Sequence, residues 1–171
     1  MAEVSKMHFV IAQYHEDVSW ADNLEKTVIT KDTHLPNIGR EASSYLLFIL
    51  NNYSTLEGEY VFCQGNPFPH APKFLEDVHK TNYFGDTVQC NLDGSPHHPN
   101  LPIHETLIGL ELQHGPQLSF KPGCQFKLTA EQIRQKPYSF YAKLFSVFTL
   151  NDNMAYIFER LPKSIWDCLE I

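Results

Sequence analysis

The stretch from Leu35 to Tyr53, LPNIGREASSYLLFILNNY, constrains the architecture more than any other part of the chain. Pro36 and Gly39 punctuate the backbone, Asn37 can cap the turn that follows, and a helix opens at Arg40. Apolar residues then recur at Tyr45, Leu46, Ile49, Leu50 and Tyr53, the spacing of one helical face. Before this helix lie MHFVIAQ, residues 7–13, and the β-branched TVIT, residues 27–30. After it lies YVFC, residues 60–63. Short apolar runs of this kind read as buried strands. Trp20 to Leu24 reads as a short helix between the first two. Strand, helix, strand, helix, strand predicts an α/β fold with a mostly parallel central sheet flanked by helices. Ligands of such sheets sit beyond the carboxyl ends of the strands. Two loops therefore face the expected site. Gln13 to Asp17 follows the first strand, and Gln64 to His70 follows the third.

The remainder fills out one domain over residues 1–171, a length ample for a buried core. Pro72 to Lys80 reads as a short helix with Phe74, Leu75 and Val78 inward. From Gly85 to Ser119 the chain is rich in turn residues, including NLDGSPHHPNLP, and reads as an irregular loop, a mobile cover over a site. GCQFKLT, residues 123–129, reads as a strand. Thr129 and Gln132 form a capping-box pattern for a helix ending near Lys136. Pro137 suits the first turn of a helix carrying Phe140, Tyr141, Leu144, Phe145 and Phe148. A last helical region holds Tyr156 to Arg160, and Pro162 interrupts it before Ile165, Trp166 and Leu169.

Charge and cysteine usage narrow the function classes. With 13 Lys+Arg against 20 Asp+Glu, the net charge of −7 argues against a general nucleic-acid binder, which needs a basic footprint. No run of 18 apolar residues exists, so no membrane span is expected. The start, MAEVSKMHFVIAQYHEDV, lacks the shape of a signal peptide. Cys63, Cys90, Cys124 and Cys168 have neither zinc-knuckle nor redox spacing, and predict reduced core thiols in a cytoplasmic protein.

Several residue sets can carry chemistry. Arg40 and Glu41, on a stiff turn at a helix start, can hold a polar ligand, or form a salt bridge and cap. His15, Glu16 and Asp17 can touch a nucleotide or help hold a metal, or form a solvated turn with Asp17 as a cap. Gln64, Asn66 and His70 are either a polar ligand edge or a rigid turn. His97, His98, His104 and His114 invite a metal-dependent hydrolase reading, although adjacent loop histidines lack the usual ligand spacing. Glu159 can act as a general base kept ionised by Arg160, or pair with it on a helix. Cys124 has no paired histidine and reads as core. GxSxG, P-loop, GxGxxG and HExxH patterns are missing.

AQYHEDVSW at 12–20, LPNIGREASSYLLFILNNY at 35–53, VFCQGNPFPH at 61–70, GCQFKLTAEQIRQKPYSFYAKL at 123–144 and ER at 159–160 together form a pattern. With it the chain resembles a microbial protein family carrying an LPNxGRE motif, itself similar to small glycosyltransferase-like domains. That family usually shows Asn-Glu-Asp where this chain has His15-Glu16-Asp17, and Glu-Arg-Leu-Trp where it has ERLPKSIW. The resemblance implies a compact GT-A-like nucleotide-diphospho-sugar transferase fold, with a nucleotide-sugar donor and a hydroxyl acceptor as partners. His15, Glu16, Asp17, Arg40 and Glu41 would bind the donor. Gln64, Asn66 and His70 would lie at the diphosphate, and Cys124 and Gln125 would line the acceptor side. Glu159, with Arg160, would be catalytic, as base for an inverting transfer. Metal-dependent transferases carry two carboxylates for Mn²⁺ or Mg²⁺ where this chain has Gln64 and Asn66, so metal use stays open. A non-catalytic nucleotide-sugar or glycan binding module is the alternative that these neutral residues suggest.

Overall fold

A computed structural model describes residues 6–169. Strands β1 (Met7–Gln13), β2 (Lys26–Thr30) and β3 (Glu59–Gln64) lie parallel, with β1 between the other two. Strand β6 (Phe126–Thr129) closes the far edge antiparallel to β3, giving the order β2-β1-β3-β6. The sheet is thus mostly parallel and flanked by helices, as the strand and helix alternation predicts.

Alternation along the strands builds two cores. Val10, Ile29, Tyr60, Phe62, Phe126 and Leu128 face one side, against α1 (Arg40–Asn52). Phe9, Ile11, Val61 and Cys63 face the other, against Ala21, Phe74 and Val78. A strand buried on both faces must be apolar throughout, which explains the unbroken character of FVIA and YVFC. Helix α1 presents Tyr45, Leu46 and Ile49 to its core, with Phe48 also buried. Helix α5 (Tyr138–Phe148) packs on α1, and α6 (Asn153–Phe158) and α7 (Pro162–Ile165) complete that layer. Helix α4 (Ala130–Arg134) starts with the expected capping box: Gln132 N–H donates to Thr129 Oγ1 at 3.1 Å, and Thr129 N–H donates to Gln132 Oε1 at 2.8 Å. Pro137 is the residue before α5 rather than within its first turn.

The expected strand over residues 123–129 is formed only over Phe126–Thr129, and further local expectations differ from the structure. The Trp20 region is only a 3-10 turn, Ser19–Ala21. Helix α2 is a single turn, Phe74–Asp77, burying Phe74 and Val78 but leaving Leu75 41% exposed. The Gly85–Ser119 segment is not an irregular cover. It holds β4 (Val88–Asn91) paired antiparallel with β5 (Gln117–Phe120), and α3 (Ile103–Gly109) between them. Its order comes from widely spaced apolar residues, Cys90, Ile103, Leu107 and Leu118, that join the main core and outweigh the turn residues around them. Finally, all four cysteines are free, but only Cys63, Cys90 and Cys124 are buried, while Cys168 is exposed. Among the described residues no helix is long and apolar enough to cross a membrane.

Candidate functional site

A cleft of about 480 Å³ opens at the carboxyl ends of the parallel strands. Its position follows from the strand order. The chain leaves β1 for β2 on one side and returns to β3 on the other, so the two connections diverge above β1 and leave a crevice. Gln13 and Tyr14 from the end of β1, Lys31 just past β2, and Gln64 and Asn66 from the end of β3 line it. Arg40 and Glu41 from the start of α1, and Asp152 from the start of α6, complete the wall. The volume suits a ligand the size of a cofactor or nucleotide.

The entry into α1 shapes this wall. Gly39 adopts φ +79° and Arg40 φ +46°, both left-handed. A Cβ on Gly39 would meet the Phe148 carbonyl oxygen at 2.7 Å, so the turn requires glycine twice over. A non-glycine residue held left-handed is costly and is concentrated at functional sites. Asn37 lines the cleft and does not cap α1, whose start has no side-chain cap. The start of α1, with the positive end of the helix, thus meets the cleft at Arg40 and Glu41.

The charges are unusual for a surface cleft. Burial pushes the Glu41 carboxyl from 4.5 up to about 7, and the Glu159 carboxylate nearby adds to the rise. Its own backbone N–H, Arg40 and the Gln64 amide pull the other way without cancelling it. Burial also lowers Lys31 to about 8, against the opposing attraction of Glu41, Asp152 and Asp32. Lys31 Nζ donates to the Ile38 carbonyl at 3.1 Å and contacts Ser43 Oγ, which fixes a largely buried ammonium in the cleft wall. An acid titrating near neutrality can exchange a proton, and the two cations beside it can hold an anion.

The remaining sequence candidates occupy distinct places. Glu16 lines the cleft, and its carboxylate accepts the Tyr14 N–H at 2.6 Å. His15 is exposed and packs on Tyr14, with ring centroids 3.7 Å apart. Asp17 is exposed and accepts the Ser19 N–H at 2.9 Å, while the N-cap position of the 3-10 turn is Val18. The β3 loop is tied down from both sides. Trp20 Nε1 donates to the Gly65 carbonyl at 2.8 Å. The fully buried Gln125 amide accepts the Gln64 N–H at 3.0 Å and donates to the Pro67 carbonyl at 3.2 Å. Gln125 therefore supports the loop instead of lining the cleft. Cys124 is fully buried, and burial drives its thiol well above the ordinary range, so it is held as the thiol. His70 is exposed, with its ring against Gly123.

Glu159 and Arg160 diverge. Glu159 Oε1 accepts the Gly123 N–H at 3.1 Å and acts on Glu41 through its charge. Arg160 is 1% exposed, donates to the Tyr156 carbonyl at 2.5 Å, and lines a second cavity of about 580 Å³ on another side. Of the histidines, His98 meets Arg160, and His104 and His114 pair edge to face. Among the described residues no three His, Cys, Asp or Glu side chains converge as metal ligands.

Lys31 and Asp152 line the cleft without belonging to any of the residue sets that the sequence patterns single out. Lys31 directly follows TVIT, so the carboxyl-end rule that singles out Gln13 and Gln64 also reaches it. Asp152 carries no sequence signal, because only the packing of α6 on α1 brings it to the cleft. No protein-family model, curated protein or solved structure matches the chain.

Proposed function

We propose that the cleft binds a nucleotide-diphospho-sugar and transfers its sugar to a hydroxyl acceptor. One observation carries this reading: two cations, Lys31 and Arg40, and an acid titrating near neutrality, Glu41, converge at the switch point of a parallel sheet. The acceptor oxygen attacks the anomeric carbon, and the bond from that carbon to the diphosphate oxygen breaks. The acceptor's proton passes to the ionised Glu41 carboxylate. The departing nucleoside diphosphate keeps the electron pair, and Arg40 and Lys31 offset its charge. Glu41 is the better proton acceptor than Glu159 on this geometry, since it lines the cleft whereas Glu159 is engaged by the Gly123 N–H. Glu159 then serves to keep Glu41 basic.

Thermal stability against a panel of nucleotide-sugars, with and without Mn²⁺, tests donor binding. A donor at about 100 times its Kd stabilises the fold by about 2.7 kcal/mol. Glu41→Gln is expected to abolish turnover and spare that shift. Glu159→Gln is expected to keep turnover and move the acidic limb of the pH–rate profile downward. Turnover that survives in Glu41→Gln and vanishes in Glu159→Gln would reverse the two roles. A donor shift without transfer to any acceptor would instead mark a binding module.

A further inference from the structure

Arg40 is exposed and carries a long side chain, yet its guanidinium is not left to wander. Its carbon lies 5.0 Å from the centre of the Tyr156 ring. Tyr156 in turn stacks on His98, with centroids 4.2 Å apart and planes 27° from parallel. His98 Nδ1 lies 3.0 Å from Arg160 Nη2. A guanidinium has no acceptor, so Nδ1 accepts this bond and the imidazole proton sits on Nε2. Arg160 is clamped by the Tyr156 carbonyl and by the Phe120 ring, 4.4 Å from its guanidinium carbon. The contacts form a continuous row: Arg40, Tyr156, His98, Arg160, Phe120.

We infer that Tyr156 is a positioning residue for Arg40, and that the 85–119 segment, through His98, belongs to the anion-binding apparatus of the cleft. The segment contributes no cleft-lining residue, so its effect travels through the row. Among the described residues no carboxylate lies within ion-pair distance of Arg40, which leaves its charge for a ligand. An aromatic ring holds a guanidinium without neutralising it, where a carboxylate would compete with the ligand. The left-handed backbone at Arg40 fixes where the side chain departs, and the ring fixes where it ends. Arg160 thereby acquires a role that its burial otherwise obscures: among the described residues it is a buried cation without a carboxylate in ion-pair distance, and it orients His98.

This rests on the reading of Arg40 as a diphosphate ligand, so the test has two independent readouts. The first needs no ligand. In the unliganded full chain, the Arg40 Nε–Hε proton is expected upfield from the Tyr156 ring current, unchanged in Tyr156→Phe, and at its ordinary position in Tyr156→Leu. An Arg40 signal identical in all three overturns the inference. The second is calorimetric titration with uridine diphosphate and with inorganic pyrophosphate. Tyr156→Leu is expected to weaken binding about three- to fivefold, with Tyr156→Phe close to the unsubstituted protein. In an Arg40→Gln background, Tyr156→Leu is expected to add nothing. An equal loss in both backgrounds overturns the inference, because the ring would then act on something other than Arg40. If neither anion binds, the diphosphate reading fails and the inference of an anion-binding role fails with it, while the Arg40 signal still reports whether the ring holds the guanidinium.

Discussion

Glu41 costs the folded protein stability whenever it is ionised, and the cost has a definite pH window. Its carboxyl is raised from 4.5 to about 7 on folding. Between those values the folded chain holds a proton that the unfolded chain has lost, so stability falls as pH rises through the window. Below about 4.5 both states are protonated and the full stability is present; above about 7 both are ionised and the loss is complete. A displacement of this size amounts to about 3 kcal/mol at the upper plateau. Glu41→Gln keeps the shape and hydrogen-bonding reach of the side chain and removes the ionisation. The variant is expected to gain on the unsubstituted protein progressively from about pH 5, with an advantage of about 3 kcal/mol by pH 8. For a chain of this length that is a rise in Tm of about 6–12 °C. Urea unfolding at a series of pH values, followed by circular dichroism, reads the difference directly. A difference that stays constant across the series, or a variant that is the weaker at pH 8, would refute the burial of this carboxyl as the cause of its shift.

Gly123→Ala is expected to destabilise the fold by about 1–3 kcal/mol, since φ is +95° and the new Cβ would sit 2.9 Å from His70 ring atoms; thermal unfolding reads the loss. The same substitution moves the N–H that Glu159 accepts, so its Tm should fall further than that of Thr129→Ala. Thr129→Ala removes one arm of the α4 capping box and is expected to cost about 1 kcal/mol in urea unfolding.

How far the chain can be read without its structure depends on the range of the forces involved. Helix α1 begins at Arg40 and ends at Asn52, where the apolar stripe and the Pro36–Gly39 punctuation place it, because both signals are local. The capping box at Thr129 is legible for the same reason. The Gly85–Ser119 segment misleads, because its order is imposed by tertiary burial of residues such as Ile103 and Leu118 while its local sequence is dense in turns. The site divides along the same line. Glu16, Arg40, Glu41, Gln64 and Asn66 fall at one cleft because the topology brings the strand ends and the start of α1 together. Glu159 and Arg160 are neighbours in sequence, yet one faces Gly123 and the other a separate cavity, since they lie in the turn that follows α6 and not on one helical face. The raised acid of Glu41 is invisible in sequence, because desolvation is a property of the packed wall.

The bond from Trp20 to the Gly65 carbonyl makes the protein its own optical probe. The chain has two tryptophans, and they stand in different worlds. Trp166 is 1% exposed, and its Nε1 donates to the Tyr141 hydroxyl at 3.1 Å deep in the helical layer. Trp20 is half-buried and joined to the backbone between Gln64 and Asn66, two walls of the cleft. A molecule that presses on that loop perturbs one indole and leaves the other untouched. The emission of Trp166→Phe therefore follows occupancy of the cleft, whereas that of Trp20→Phe follows only the integrity of the core.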